Sequence, residues 1–171
     1  YQLIYYLMHE AGKTIQNAID EIREAVDFLR YYANQMIDIT EKEGELDGPT
    51  GEENILSYSA KGHIICISPW NFPVAILIGQ ISAALITGNK VTVKPSEHTS
   101  ILGYLVTNIF HKHGVPIDVL ELLLGDGHHG DEFLTRVVAG SRPLLVGVGG
   151  ALSAALPSSL ASASTSTRAV A

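Results

Sequence analysis

A single cysteine in 171 residues leaves no internal disulfide framework and fits a reducing compartment. Basic residues are also scarce: 11 Lys and Arg stand against 18 Asp and Glu, for a net charge of −7. That balance argues against nonspecific binding to nucleic acid or acidic membranes, although local contacts to a nucleotide stay open. Long apolar runs are missing. The most apolar stretch, Pro73 to Gly88, is too short to span a bilayer and contains Gln80 and Ser82, so it reads as a buried helix. A metal set is missing as well. His111 and His113 lie two apart on a helix, His128 and His129 adjoin in a turn, and no Cys or paired acid completes a zinc site. Neither an initiating Met nor a signal peptide is visible, and the opening YQLIYYLMHE already has helical spacing, so a truncated start is expected. What is present is a globular composition, 46% hydrophobic and 17% charged, at a length that suits one domain.

Ile4, Leu7, Met8 and Ala11 predict a first helix, which Gly12 interrupts. Thr14 suits the N-cap of a longer one, whose expected buried stripe is Ile15, Ala18, Ile19, Ile22, Val26, Leu29, Ala33 and Met36. Asp20 with Arg23, and Asp27 with Arg30, can pair on its wet face. Gly12-Lys13-Thr14 has the lettering of a phosphate loop, but Leu7 occupies the position of the leading glycine and no strand precedes it. Glu41 to Gly51 reads as a loop and Asn54 to Ser59 as a short strand. His63 to Ser68, Val91 to Lys94 and Val119 to Leu124 read as strands. They alternate with helices over Pro73 to Gly88, Ser100 to His113 and, after the third strand, about Asp131 to Arg136. Alternation of this kind implies a parallel α/β sheet. From Ala139 the composition turns to Ala, Ser, Gly and Leu without a steady period. Poor order is expected after about Pro157, and the abrupt change suggests a reading-frame or fusion junction near Arg136.

Parallel α/β sheets bind ligands at the carboxyl ends of their strands. At the first such end, Ser68-Pro69-Trp70-Asn71-Phe72-Pro73, two prolines stiffen a turn that presents Trp70 and Asn71. The Asn71 amide is either a donor to a developing oxyanion or a plain turn residue. At the second, Lys94-Pro95-Ser96-Glu97 carries an ammonium and a carboxylate, which either grip a ribose diol or form an exposed charge pair. Gly125-Asp126-Gly127-His128-His129-Gly130 has the G-x-G-x-x-G spacing, but no acidic residue follows at the required distance. Cys66, within its strand, reads as buried rather than reactive.

The PWNFP turn, the TGN helix end and the VKPSE strand end occur in an order and spacing that resemble the aldehyde dehydrogenase superfamily. HEAGKTIQNAIDEIREAVDFLRYYA and CISPWNFPVAILIGQISAAL resemble the glutamate-semialdehyde (pyrroline-5-carboxylate) dehydrogenase part of bifunctional proline-utilisation proteins. The resemblance covers about Tyr1 to Thr135. It implies a truncated aldehyde dehydrogenase fold: a partial Rossmann-like parallel sheet with N-terminal helices. Residues 1–44 would be N-terminal helices, 45–61 a loop and the start of an oligomerisation hairpin, 62–138 the partial NAD-binding domain, and 139–171 a divergent tail. It further implies that Asn71 is the catalytic oxyanion donor. Ile67, Ser68, Pro69 and Trp70 would wall the nicotinamide half of NAD, Lys94 and Glu97 would clamp the adenosine ribose, and Gly125 and Gly127 would line the turn near the adenine. The implied activity is NAD-dependent oxidation of L-glutamate γ-semialdehyde to glutamate, of the EC 1.2.1 class, in a cytoplasmic enzyme that forms homo-oligomers.

The family's catalytic cysteine belongs to a Gly-Gln-x-Cys stretch of a later domain, and its general base to a Glu-Leu-Gly-Gly context. Gly79-Gln80-Ile81-Ser82 and Glu121-Leu122-Leu123-Leu124 do not replace them. The chain alone is therefore expected to carry cofactor and oxyanion parts without turnover. The alternatives are a non-enzymatic truncated remnant and a fragment of another aldehyde dehydrogenase.

Overall fold

A computed structural model of the chain describes residues 1–126, 128, 132, 144–146 and 161–169. Helix α1 (Gln2–His9) leads into α2 (Ile15–Thr40), whose N-cap Thr14 accepts a hydrogen bond from the Asn17 N–H at 3.2 Å, as its sequence position predicts. Asp20–Arg23 and Asp27–Arg30 pair on the exposed face at 3.6 and 3.8 Å. The expected stripe holds only in part: Ala18 is buried, Ile22 packs on the core, and Ile19 and Met36 are half-buried. Ile15, Val26, Leu29 and Ala33 are exposed, and the residues turned inward are Ala18, Glu21, Ala25 and Tyr32, with Phe28 packed beside them. Close approach is the reason. Small Ala18 and Ala25 let the next helix come near, where Gly79 leaves room for the Phe28 ring, which lies 3.3 Å from where a Cβ would sit.

Strands β1 (Gly44–Leu46) and β2 (Glu52–Ala60) form an antiparallel hairpin, so a strand stands within the stretch read from sequence as a loop. The far edge of β2 pairs with β7 (Ala161–Ala169), from Glu52↔Ala169 to Ala60↔Ala161. The expected lack of order past Pro157 does not hold for these nine residues. A nine-residue strand whose far edge is not covered by β1 is a template for a compatible segment.

The second sheet holds the α/β unit: β3 (His63–Ile67), α3 (Ala75–Ile86), β4 (Lys90–Lys94), α4 (Ser100–Lys112), β5 (Leu120–Leu122) and β6 (Leu144–Val146). All its pairings are parallel, in the order β5-β4-β3-β6. Ile64 to Cys66 and Val91 to Val93 are buried, as parallel strands require. Helix α3 is apolar on nearly every side and buried over most of its length, which fits its place between α2 and the sheet. It ends at Gly88, whose φ of +79° only glycine adopts freely. The next residue, Asn89, is buried. Its side chain donates to the Ala84 carbonyl (3.1 Å) and the Thr87 hydroxyl (2.8 Å) and accepts from the Gly62 N–H (2.9 Å). The TGN motif is thus explained here by anchoring: it fastens the end of α3 to the turn that starts β3. Strand β6 lies in the Ala/Gly/Ser-rich tail, where sequence periodicity does not mark it. The helix expected near Asp131 to Arg136 falls outside the described residues, apart from Glu132, which is helical.

Across β3, β4 and β5 runs a polar row. His63 Nε2 lies 2.8 Å from Thr92 Oγ1, Thr92 donates to Glu121 (3.3 Å), and Lys90 pairs with Glu121 (2.7 Å). Burial, and next the Lys90 charge, hold the His63 pKa below its ordinary 6.5, with Glu121 opposing. The unfolded chain then binds the proton more readily, so stability is fully present above pH 6.5 and falls as pH drops through the folded value. Urea midpoints taken between about pH 5 and 7.5 should show this slope in the native chain and a flatter one in His63→Gln.

Candidate functional site

Sequence order and spatial order disagree at one place in the parallel sheet. The chain steps β3→β4→β5 towards one edge, while β6 lies on the other side of β3. The carboxyl end of β3 is therefore the topological switch point, where open α/β sheets leave a crevice for ligands. The turn Ser68 to Pro73 leaves the sheet there. Its backbone is tied to the neighbouring strand end, since Ser68 N–H donates to the Lys94 carbonyl (3.2 Å) and Ile67 is the register partner of Lys94. The two strand ends singled out in the sequence thus form one edge.

On that edge Trp70 is 56% exposed, and Asn71 and Phe72 are also exposed, while Ser68 and Pro73 are buried and Pro69 half-buried. An exposed indole and carboxamide on a turn with a buried base can meet a ligand without rearranging the core. Gln80, within α3, donates to the Ile67 carbonyl (3.1 Å) and steadies the last residue of β3. Lys94 is only 8% exposed, and its Nζ donates to the Gly125 carbonyl at 3.2 Å, which ties β4 to the turn after β5. An ammonium has three donors, so this bond leaves capacity for a ligand hydroxyl. Glu97 opens the 3-10 turn Glu97–Thr99 with its carboxylate exposed, Oε1 3.9 Å from His98 Nε2. Lys94 and Glu97 therefore share the carboxyl end of β4 without being each other's described partner. Gly125 is half-buried with φ of +149°, and Gly127 lies outside the described residues.

Cys66 is fully buried, and burial pushes its thiol up to about 12. It is a core residue, as its position predicts. A thiol reagent at pH 8 should modify the native chain on the order of 100-fold more slowly than the urea-unfolded chain. Equal rates would mean that this strand opens readily.

Sequence reasoning missed two glutamates. Glu21, 2% exposed in the second turn of α2, accepts the Val74 and Ala75 N–H groups through Oε1 (2.7 and 3.2 Å) and meets Lys13 Nζ through Oε2 (2.5 Å). Lys13 Nζ also sits 3.9 Å from the centroid of the Phe72 ring. Glu10, just past α1, accepts from Ile101 and Leu102 (2.7 and 2.8 Å) at the start of α4. Both crossover helices thus have first-turn amides satisfied by carboxylates from the N-terminal region. The only local signal for Glu21 is its phase, three residues after Ala18 and four before Ala25 on the close-packed face.

This is an open parallel α/β fold with an exposed, polar edge at its switch point. The aldehyde dehydrogenase family profile matches residues 1–139, and the chain belongs to that family. It is 48% identical over 126 residues to the bifunctional protein PutA of Salmonella typhimurium, covering 74% of this chain and 9% of that protein. Among solved structures, a variant of Thermus thermophilus 1-pyrroline-5-carboxylate dehydrogenase is 36% identical with a TM-score of 0.73, over 77% of this chain and 26% of that one. An NAD-dependent benzaldehyde dehydrogenase from Corynebacterium glutamicum is 30% identical with a TM-score of 0.71, over 87% and 31% respectively. The chain thus spans about a tenth of the bifunctional relative and about a quarter to a third of the two single-function enzymes.

Proposed function

We propose that this chain is the NAD-binding and oxyanion-bearing segment of a dehydrogenase that oxidises L-glutamate γ-semialdehyde to glutamate in proline catabolism. The observation that carries the reading is the single edge made by the ends of β3 and β4 at the switch point, with Trp70 and Asn71 on the turn that leaves β3 and Lys94 and Glu97 at and just past the end of β4. The donor set fits a nucleotide's sugar. The remaining Lys94 donors and the exposed Glu97 acceptors complement a vicinal diol, which both gives and takes hydrogen bonds. Ile67, Ser68, Pro69 and Trp70 would present a largely apolar wall to the nicotinamide half, and Gly125 and Gly127 would leave room near the adenine. The start of α3 is already engaged by Glu21 and that of α4 by Glu10, so neither is free to take the pyrophosphate.

Bound NAD would supply the hydride acceptor. The Asn71 carboxamide would donate to the oxygen that gains charge when the aldehyde carbon is attacked, a contact worth about 2.7–4 kcal/mol in comparable sites. Cys66 is buried in the core with its thiol pushed up to about 12, so it is not placed to be the attacking group, and by this reading the chain by itself binds cofactor without oxidising aldehyde. We assign the β1–β2 hairpin to an oligomerisation arm and the protein to a reducing, cytoplasmic setting.

Calorimetry and thermal unfolding with NAD test this reading. At a hundred times its dissociation constant, NAD should stabilise the chain by about 2.7 kcal/mol. Glu97→Gln, a change at an exposed side chain, should keep the fold and weaken binding, and Lys94→Met should weaken it further. No thermal shift at millimolar NAD, with aggregation on warming, would favour the remnant reading.

A further inference from the structure

We propose that Glu21 and Lys13 are positioning residues for the Asn71 turn, acting through the first turn of α3 and the Phe72 ring. The proposal rests on the reading of that turn as the oxyanion and nicotinamide site. A two-proline turn ahead of a helix is stiff at its prolines, but Trp70, Asn71 and Phe72 between them are exposed, so little of the core holds them. Fixation has to come from the downstream end. There Ile76 N–H bonds the Phe72 carbonyl (3.2 Å), which joins the turn to the helix. The Val74 and Ala75 N–H groups then point at the buried Glu21 carboxylate, 53 and 54 residues away in sequence. A local cap would move with the turn, whereas a carboxylate anchored in a 26-residue helix does not.

Lys13 completes the device from the other side. Its ammonium closes the second carboxylate oxygen of Glu21 and lies against the face of Phe72, the residue directly after Asn71. One cation therefore couples the cap of α3 to a side chain of the turn. Glu10 offers an internal comparison, because it caps α4 in the same manner and, among the described residues, its hydrogen bonds go to Ile101 and Leu102 rather than to the turn. Glu21 is also the more buried of the two and carries the ion pair, so its loss should cost more stability; what separates positioning from stability is whether the Asn71 turn loosens when Lys13 alone is changed.

The experiment is 15N relaxation and amide exchange on the whole 171-residue chain, read at Trp70 to Ala75 and at Ile101 and Leu102. Trp70 is the one tryptophan, so its indole N–H is a single resolved reporter in the turn. In Lys13→Met, which leaves Glu21 in place to accept from α3, order parameters at Trp70 to Phe72 should fall from about 0.85 towards 0.6. Lys13→Arg, which keeps the charge and the ring contact, should restore them. Glu21→Gln should speed Val74 and Ala75 exchange about tenfold and loosen the same turn, while Glu10→Gln should speed Ile101 and Leu102 exchange and leave the turn as it was. The proposal is overturned if the turn stays rigid in Lys13→Met, or if Glu10→Gln loosens it equally. Should Glu21→Gln not fold, the Met and Arg pair at Lys13 decides the matter. NAD is absent from these samples, so failure here leaves the cofactor reading standing, and a chain that binds no NAD can still show the clamp.

Discussion

Glu21→Ala should cost about 3–5 kcal/mol of folding stability, enough to unfold much of the population of a marginally stable domain. The substitution strips the Val74 and Ala75 amides of their acceptor and leaves Lys13, whose side chain is 11% exposed, as a nearly buried cation without its counterion. Most of the penalty comes from those unpaired groups rather than from the lost attraction. A double-mutant cycle follows from that. In a Lys13→Met background the same change at Glu21 should cost clearly less, because the stranded ammonium is gone. Urea unfolding followed by far-UV circular dichroism gives all four stabilities. A cost under about 1 kcal/mol would place Glu21 among ordinary surface residues, against its burial.

Gly103→Ala has the second largest expected effect, and it bears directly on the ligand edge. In an exposed helix, alanine would be better than glycine by about 0.8–1 kcal/mol. Here its Cβ would stand 2.5 Å from Pro95 Cγ and 2.8 Å from Pro95 Cβ. Pro95 is buried and rigid, and it links Lys94 to the turn that carries Glu97, so relief requires moving that turn. The sign therefore reverses, to a net loss of about 1–3 kcal/mol. On the proposed assignment of Lys94 and Glu97 to the ribose, NAD affinity should drop about tenfold, or about 1.4 kcal/mol, as those two groups shift apart. Calorimetry beside thermal unfolding separates the two losses. An alanine that raises the melting temperature and leaves affinity unchanged would show that the helix can back away from the strand end.

The elements most legible in the sequence are those built from short-range signals. The apolar runs of β3 and β4, the Gly88 stop, and the cap at Thr14 each act within a few residues, so local pattern finds them. The strand ends themselves are legible for a related reason: Trp70 and Asn71 follow β3 closely, and Lys94 ends β4 with Glu97 three residues on, where α/β sheets keep their chemistry. Their assigned roles come from the family resemblance rather than from spacing. The buried face of α2 was misread in part because hydrophobicity was followed instead of size. The stripe correctly includes Ala18, but it follows Ile15, Val26 and Leu29, which are exposed, and passes over Ala25, which makes the closer contact. The glutamate caps were invisible because their partners lie 53 to 92 residues away, and a lone carboxylate in a helix reads as solvated. Strand β7 escaped notice because what selects it is the open edge of β2, about a hundred residues earlier.

The central claim is that the ends of β3 and β4 form one nicotinamide-nucleotide edge with Trp70 at its reducible end. Energy transfer from Trp70, the chain's only tryptophan, to bound NADH measures this directly. Titration with NADH should quench Trp70 emission and raise sensitised nicotinamide emission together, and Glu97→Gln should move both curves to higher concentration. If Trp70 emission stays unquenched at NADH concentrations that saturate the chain by calorimetry, the nicotinamide lies elsewhere and the assignment of this edge is wrong.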